Sequence, residues 1–224
     1  NSLALVYLNR GYDHLNQRRF GPALEALIES QKLDGENPLV YLYLGEAYAR
    51  QGEFDLAEKN LKEAIERKKD NAVAHNNLGN IYADREKYQD AIAEYEIAAS
   101  NILYETPEVA LNNIGWIYYR KKDFPKAIEY YQRAITQNPR FPTPHHNIGL
   151  VYLDESKLDE AKIEFNLAVK FYPQYTEAHY RLAQVYERLN QPKQAIDHYL
   201  QVTRLSPGTP VGVEAQRRLN EINP

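Results

Sequence analysis

The chain has 224 residues, 43% of them hydrophobic, and its 27 Lys and Arg stand against 31 Asp and Glu for a formal charge of -4. The basic residues are interleaved with acids, so the cationic block that draws a protein onto a phosphate backbone is missing and nucleic acid is set aside as a partner. Cysteine is absent, which removes disulfides, thiolate nucleophiles and cysteine-ligated zinc. No apolar run reaches the length of a membrane span, and residues 1–30 lack the pattern of a signal peptide. A start at Asn1 is what a processed or trimmed chain would show, its upstream signal or anchor cut away.

Along the chain, glycines at 11, 45, 79, 115 and 149, with Ala183 in the sixth place, are spaced by 34, 34, 36, 34 and 34 residues. Ala23, Ala57, Ala91, Ala127, Ala161 and Ala195 repeat with the same spacings. Two columns in phase define a repeat. With the glycine numbered position 8, the repeats are 4–37, 38–71, 72–107, 108–141, 142–175 and 176–209. Position 11 is mostly tyrosine (Tyr48, Tyr82, Tyr118, Tyr152, Tyr186), and position 24 is large (Leu27, Leu61, Tyr95, Tyr131, Phe165, Tyr199). Position 27 is usually alanine (Ala64, Ala98, Ala134, Ala168).

Small residues at 8, 20 and 27 let two antiparallel helices approach, while large ones at 11 and 24 fill the flanking grooves. Pro22 and Pro125 fall where second helices begin, and Pro139, Pro173 and Pro207 follow second helices. The segment 210–224 reads as an amphipathic capping helix, with Val213, Leu219 and Ile222 inward and Arg217, Arg218 and Glu221 toward water. The pattern resembles the tetratricopeptide repeat (TPR). That resemblance implies an all-α fold, a right-handed TPR superhelix (α-α solenoid) of six repeats plus a C-terminal capping helix, forming one domain over 1–224.

With positions 4, 7, 8 and 11 turned to packing, the helical period puts 2, 5, 6, 9, 12 and 13 of each first helix on the other side, predicted to line a concave groove. An asparagine ladder stands there: Asn76, Asn77 and Asn80, then Asn112 and Asn113, then Asn147 beside His146. Amides suit the backbone N–H and C=O of an extended peptide of any sequence. Large apolar residues share the face, with Leu39, Leu42 and Tyr43 early and Trp116, Tyr119, Leu150 and Leu153 later. Trp116, the only tryptophan, is the expected anchor for a partner. Leu42 and Leu150 fit equally a packing role between neighbouring first helices. Position 13 alternates Arg50, Asp84, Arg120, Asp154 and Arg188, which predicts ion pairs between repeats. The carboxylate clamp of chaperone-binding TPR domains would need lysines where Leu8, Leu42, Asn76, Leu5, Leu39 and Val73 stand, so chaperone tails are not the expected ligand.

Chemistry finds no foothold. His75, His145 and His179 all occupy position 4, separated by whole helix pairs, so they read as packing residues and not as a metal site. No phosphate-binding glycine loop, nucleophile elbow or H-E-x-x-H motif occurs. No catalytic residue, metal or cofactor is expected.

The junction around Asn101 to Glu108 breaks the period by two residues and reads N-I-L-Y-E-T-P-E. It is followed by Asn113 and Gly115, and this stretch resembles the type IV pilus pilotin family (PilF, PilW and Tgl) through Leu103, Tyr104, Pro107, Glu108, Asn113 and Gly115. A plain lengthened loop, with Pro107 starting the next helix and Ile102 and Leu103 tucked beneath it, is the other reading. The resemblance implies an outer-membrane lipoprotein on the periplasmic face that helps a secretin subunit assemble, its membrane contact made through an N-terminal lipid anchor absent from this sequence. Two alternatives stand beside it: a cytoplasmic TPR adaptor that binds an extended segment of a partner protein, and the regulatory array of a larger enzyme.

Overall fold

The computed structural model describes residues 2–222; Asn223 and Pro224, the end of the predicted cap, lie outside the described residues. Among these, thirteen α-helices and no strand occur: α1 (Ser2–Asn16), α2 (Phe20–Leu33), α3 (Pro38–Arg50), α4 (Phe54–Arg67), α5 (Ala72–Asp84), α6 (Tyr88–Ser100), α7 (Pro107–Arg120), α8 (Phe124–Gln137), α9 (Pro142–Asp154), α10 (Leu158–Phe171), α11 (Thr176–Arg188), α12 (Pro192–Leu205) and α13 (Pro210–Ile222). Odd and even helices pair as the repeat numbering predicts, an α-α solenoid architecture. The described residues fall into two compact units, dividing between Ala110 and Leu111 inside the first turn of α7.

Within each unit the same contact recurs. A Cβ added to Gly11, Gly45, Gly79, Gly115 or Gly149 would lie 2.5 to 2.7 Å from the side chain at position 24 of its partner helix, respectively Leu27, Leu61, Tyr95, Tyr131 and Phe165. Those large side chains are almost wholly buried, and the alanines at position 20 are buried completely. Position 27 in the first repeat is Ser30, whose buried hydroxyl donates to the Ala4 carbonyl oxygen at 2.8 Å, so the polar substitution leaves nothing unsatisfied. The tyrosines at position 11 differ from the expectation: only Tyr82 is buried, and Tyr48, Tyr118, Tyr152 and Tyr186 are half-buried at the rim. There lysine ammonium groups lie over the rings of Tyr82, Tyr118 and Tyr152.

Every first helix ends the same way, a feature with no residue signature. Position 15 is left-handed in all six repeats, at Arg18, Gly52, Glu86, Lys122, Ser156 and Asn190, with φ between 56° and 80°. The following N–H reaches the carbonyl of position 11, as in Lys87 N to Tyr82 O (2.8 Å) and Asp123 N to Tyr118 O (2.9 Å). This is the Schellman closure of a helix C-terminus. Only Gly52 and Asn190 are residue types that favour it.

The position-4 histidines do pack, through a bond that crosses each helix pair. His75 Nδ1 bonds Glu94 Oε2 at 2.6 Å, His145 Nδ1 bonds Glu164 Oε2 at 2.8 Å, and His179 Nδ1 bonds His198 Nδ1 at 2.9 Å. The carboxylate of Glu94 holds the His75 pKa above its ordinary value. The ion pairs predicted at position 13 do not form as expected. Arg50 reaches Glu46 in its own helix at 3.7 Å, and Asp154 accepts from Tyr119 Oη at 2.8 Å. The pairing between repeats comes one residue later, where Arg85 bridges Asp55 (2.5 Å) and Glu58 (3.0 Å) on α4.

The cap packs with Leu219 and Ile222 inward, as predicted, but Val211 and Ala215 complete that side of the helix against Ala183, Ala195, Tyr199 and Val202, while Val213 is 61% exposed. Arg218, expected in water, pairs with Glu187 at 2.6 Å, and Glu187 also accepts from Tyr199 Oη at 2.8 Å.

Two stability predictions follow from this geometry. Gly115→Ala should destabilise by about 1–3 kcal/mol through overpacking against Tyr131, whereas Gly21→Ala, in open space near the start of α2, should be neutral or stabilising by up to about 1 kcal/mol; urea unfolding of the two variants compares them directly. Lys122→Gly should raise stability by roughly 0.5–1 kcal/mol by relieving the left-handed backbone, and a fall in urea midpoint would show that the lysine side chain holds more than the turn.

Candidate protein interface

The predicted groove residues fall in both units and are described unit by unit. In the first, Tyr43 is half-buried and its ring lies 5.0 Å from that of Tyr12, while Leu5, Tyr12, Leu39 and Val73 stand exposed. Leu42 is buried, which answers the packing alternative in its favour. Asn76 is buried too, with Oδ1 unpartnered, and Asn77 beside it is half-buried. Asn80 Oδ1 accepts from Tyr95 Oη at 2.7 Å, so this amide holds the position-24 tyrosine of its own repeat.

In the second unit Asn147 Nδ2 donates to Asn112 Oδ1 at 2.9 Å, tying α9 to α7, and both side chains are buried. Position 5 is therefore interior in the first five repeats, where Leu8, Leu42, Asn76, Asn112 and His146 are all buried, and half-buried at Tyr180 in the sixth. The expectation that positions 5 and 6 are free of packing fails at these residues and at Asn147. Consecutive first helices approach closely enough to clamp their facing sides, so a ladder legible as a ligand surface is partly an inter-helix seam. Asn113 stays half-buried. Leu150, also half-buried, packs with Phe165 and Leu182, as its packing alternative requires.

Trp116 is different. It is 40% exposed and stacks on Tyr119 at 5.1 Å between ring centroids, with planes 26° apart. Tyr119 is held in turn by its bond to Asp154 and by Phe124 at 6.0 Å. Burial, and then the Asp154 bond, push the Tyr119 pKa up to about 12, so the phenol remains a donor at neutral pH. The arrangement is a large aromatic surface, open on one side and fixed from behind, which loses little side-chain freedom when a partner covers it. The junction residues lie elsewhere: Tyr104 is half-buried, Pro107 is the first residue of α7 and Glu108 is buried, whereas Ile102 and Leu103 are exposed and not tucked beneath the helix. Among the described residues no group of three or more His, Asp or Glu could hold a metal ion, and no helix is long and apolar enough to cross a membrane.

His146 lies between the rings of Phe165 and Tyr175, at 5.4 and 4.9 Å, with Nδ1 buried and unpartnered. Desolvation, and then the nearby Arg181 charge, push its pKa down to about 4. The unfolded chain, titrating near 6.5, therefore binds the extra proton between about pH 6.5 and 4, so the stability His146 contributes is full above that window and is lost as pH falls through it. Wild type should lose on the order of 2 kcal/mol across this range from His146. His146→Phe should flatten the urea-midpoint profile over that range, and an unchanged profile would remove His146 as its source.

Models of the tetratricopeptide repeat match residues 8–72, 44–106, 109–141, 143–175 and 176–209. No curated protein matches the chain in sequence. Among solved structures, PilF of Pseudomonas aeruginosa superposes with a TM-score of 0.81 at 19% identity, covering 97% of this chain and 98% of that one. PilW, described as a widely conserved type IV pilus biogenesis factor, gives 0.83 at 19% identity over 96% and 99%. YrrB, described as a TPR protein with an unusual peptide-binding site, gives 0.57 at 20% identity over 87% and 99%. At such identities these likenesses establish the fold. Because the repeat models run through nearly the whole chain and the helix pairs obey their packing pattern, the chain belongs to the tetratricopeptide-repeat family of protein-interaction scaffolds.

Proposed function

We propose that this chain is a pilotin-type assembly factor of a type IV pilus system, which binds a secretin subunit and assists its localisation and multimerisation at the outer membrane. In this reading the chain works from the periplasmic face, held by an N-terminal lipid anchor. The observation that carries the proposal is the end-to-end match with PilF and PilW, in which each chain is covered almost completely. The likeness thus runs the whole length of the array and not over a stretch of repeats alone. The L-Y-E-T-P-E junction at Leu103 to Glu108 supports the same reading. Deleting the gene in its host and blotting outer membranes for detergent-resistant secretin multimers tests it. Loss of multimers with monomer retained is the expected result; normal multimers would overturn it.

A second reading, a cytoplasmic adaptor that holds an extended peptide, is favoured by the half-buried Asn77 and Asn113 and by the likeness to YrrB. Both readings place the partner on the first-helix face, and Trp116 is its anchor there. Trp116→Ala should weaken partner binding about thirtyfold, or about 2 kcal/mol, as hot-spot truncations do, with the melting temperature little changed. A large drop in melting temperature with affinity retained would instead make Trp116 a packing residue.

A further inference from the structure

The turns that join one repeat to the next share one design. In five of the six, the fourth residue donates its N–H to the carbonyl of the first: Asn71 to Lys68 (3.0 Å), Tyr104 to Asn101 (3.0 Å), Phe141 to Asn138 (3.0 Å), Tyr175 to Tyr172 (3.0 Å) and Thr209 to Ser206 (3.4 Å). An Asx bond supports three of the turns, from Glu36 N to Asp34 Oδ1 (3.3 Å), Leu103 N to Asn101 Oδ1 (2.8 Å) and Arg140 N to Asn138 Oδ1 (3.2 Å). The two tip residues are Gly35–Glu36, Lys69–Asp70, Pro139–Arg140, Pro173–Gln174 and Pro207–Gly208 in five turns, and Ile102–Leu103 in the remaining one. The same backbone turn thus forms with glycine, proline, charged or amide side chains at its tip, so nothing in the local fold asks for aliphatic ones. Ile102 is 96% exposed and Leu103 78%, the two largest exposures among the large hydrophobic side chains of the described residues.

The tip is held firmly. Asn101 supports it from within, and Asn101 Nδ2 donates to the Asp70 carbonyl oxygen at 2.7 Å, fastening it to the neighbouring turn. That turn carries exposed Lys68, Lys69 and Asp70, and the tip is followed by exposed Glu105, so the joined turns present charges of both signs. A second copy of the chain is a poor occupant: two aliphatic side chains bury on the order of 200 Å², far below the roughly 800 Å² per partner of a stable interface. A lipid surface needs no matching pocket. It offers an acyl boundary to the two side chains and, in phosphatidylethanolamine, interspersed phosphate and ammonium groups that match flanks carrying both signs.

We propose that the Ile102–Leu103 tip dips into the headgroup and acyl boundary of a phosphatidylethanolamine-rich bilayer, as a secondary contact that orients a chain already held near the membrane. Two aliphatic side chains are too little for stable anchoring alone, so the contact acts only with a tether. It rests on the membrane-held chain of the proposed function but not on the secretin partner: secretin multimers in the host read the one, and tip insertion on tethered vesicles reads the other.

The chain, tethered by an N-terminal histidine tag to vesicles of phosphatidylethanolamine, phosphatidylglycerol and a nickel-chelating lipid, tests this through Leu103→Trp. After subtraction of the wild-type Trp116 signal, the added emission should shift to the blue and fall at least twofold when the acyl chains are brominated. The paired change Lys68→Gln and Lys69→Gln should reduce that quenching. Emission that stays at the water-exposed wavelength and escapes quenching would overturn the proposal and leave a protein pocket as the occupant. The paired change Ile102→Ser and Leu103→Ser should leave the melting temperature unaltered; a clear loss of stability would assign the pair to the fold and overturn it equally.

Discussion

The approach of the position-8 glycine to the large side chain at position 24 is the contact on which the rest of the structure depends. With no Cβ on one helix, the ring or leucine of the other lies against bare backbone, and the two axes close around it. In the sixth repeat Ala183 and Tyr199 take these places, both fully buried, so that pair is built around a methyl group from the outset. Once the helices are this close, positions 20 and 27 must be small, and Ser30 shows the tolerance: a hydroxyl fits because a carbonyl is within reach. Each pair buries its own core, yet one face remains for the next pair to cover, which is why such arrays are stable only in series and end in a cap.

The left-handed residue at position 15 is a second constraint, imposed by chain reversal. A first helix must stop and turn back within three residues, and the Schellman closure does this by bonding position 16 to the carbonyl of position 11. Four repeats meet the demand with Arg18, Glu86, Lys122 and Ser156, residues that carry a Cβ penalty there. Packing of both helices overrides that local preference. The same hierarchy acts at the histidines, where a bond across the pair to Glu94 or Glu164 turns a titratable side chain into a strut.

The interface is what packing leaves over. Convergence of consecutive first helices takes Leu42, Asn76, Asn112, His146 and Asn147 into the interior, where the Asn147 to Asn112 bond makes two amides satisfy each other. Trp116 stays open because it stacks along its own helix on Tyr119, with Asp154 fixing the tyrosine, and does not pack between helices. An exposed aromatic that is stacked and held from behind is suited to protein recognition, in keeping with a protein-interaction scaffold.

Helix count, pairing, boundaries and cap position were legible in the sequence, because a 34-residue period in two columns constrains every helix pair at once; that the large side chain at position 24 lies on the glycine itself, as Tyr131 does on Gly115, came from the structure. Contacts between pairs were not legible. In α13, Leu219 and Ile222 were read correctly as inward, but the first turn offers two valines two residues apart, and it is Val211 and not Val213 that shares their side of the helix. Arg85 in place of position 13 as the inter-repeat ion pair, and the burial of Asn76, Asn112 and Asn147, are contacts between pairs that the period of a single repeat does not specify. The sequence by itself determined the repeat, since close approach admits few residue types at positions 8, 20 and 24. Tertiary structure alone decided which polar side chains became seam and which stayed open as surface, because that is set by how tightly neighbouring repeats converge, a distance no single helix encodes.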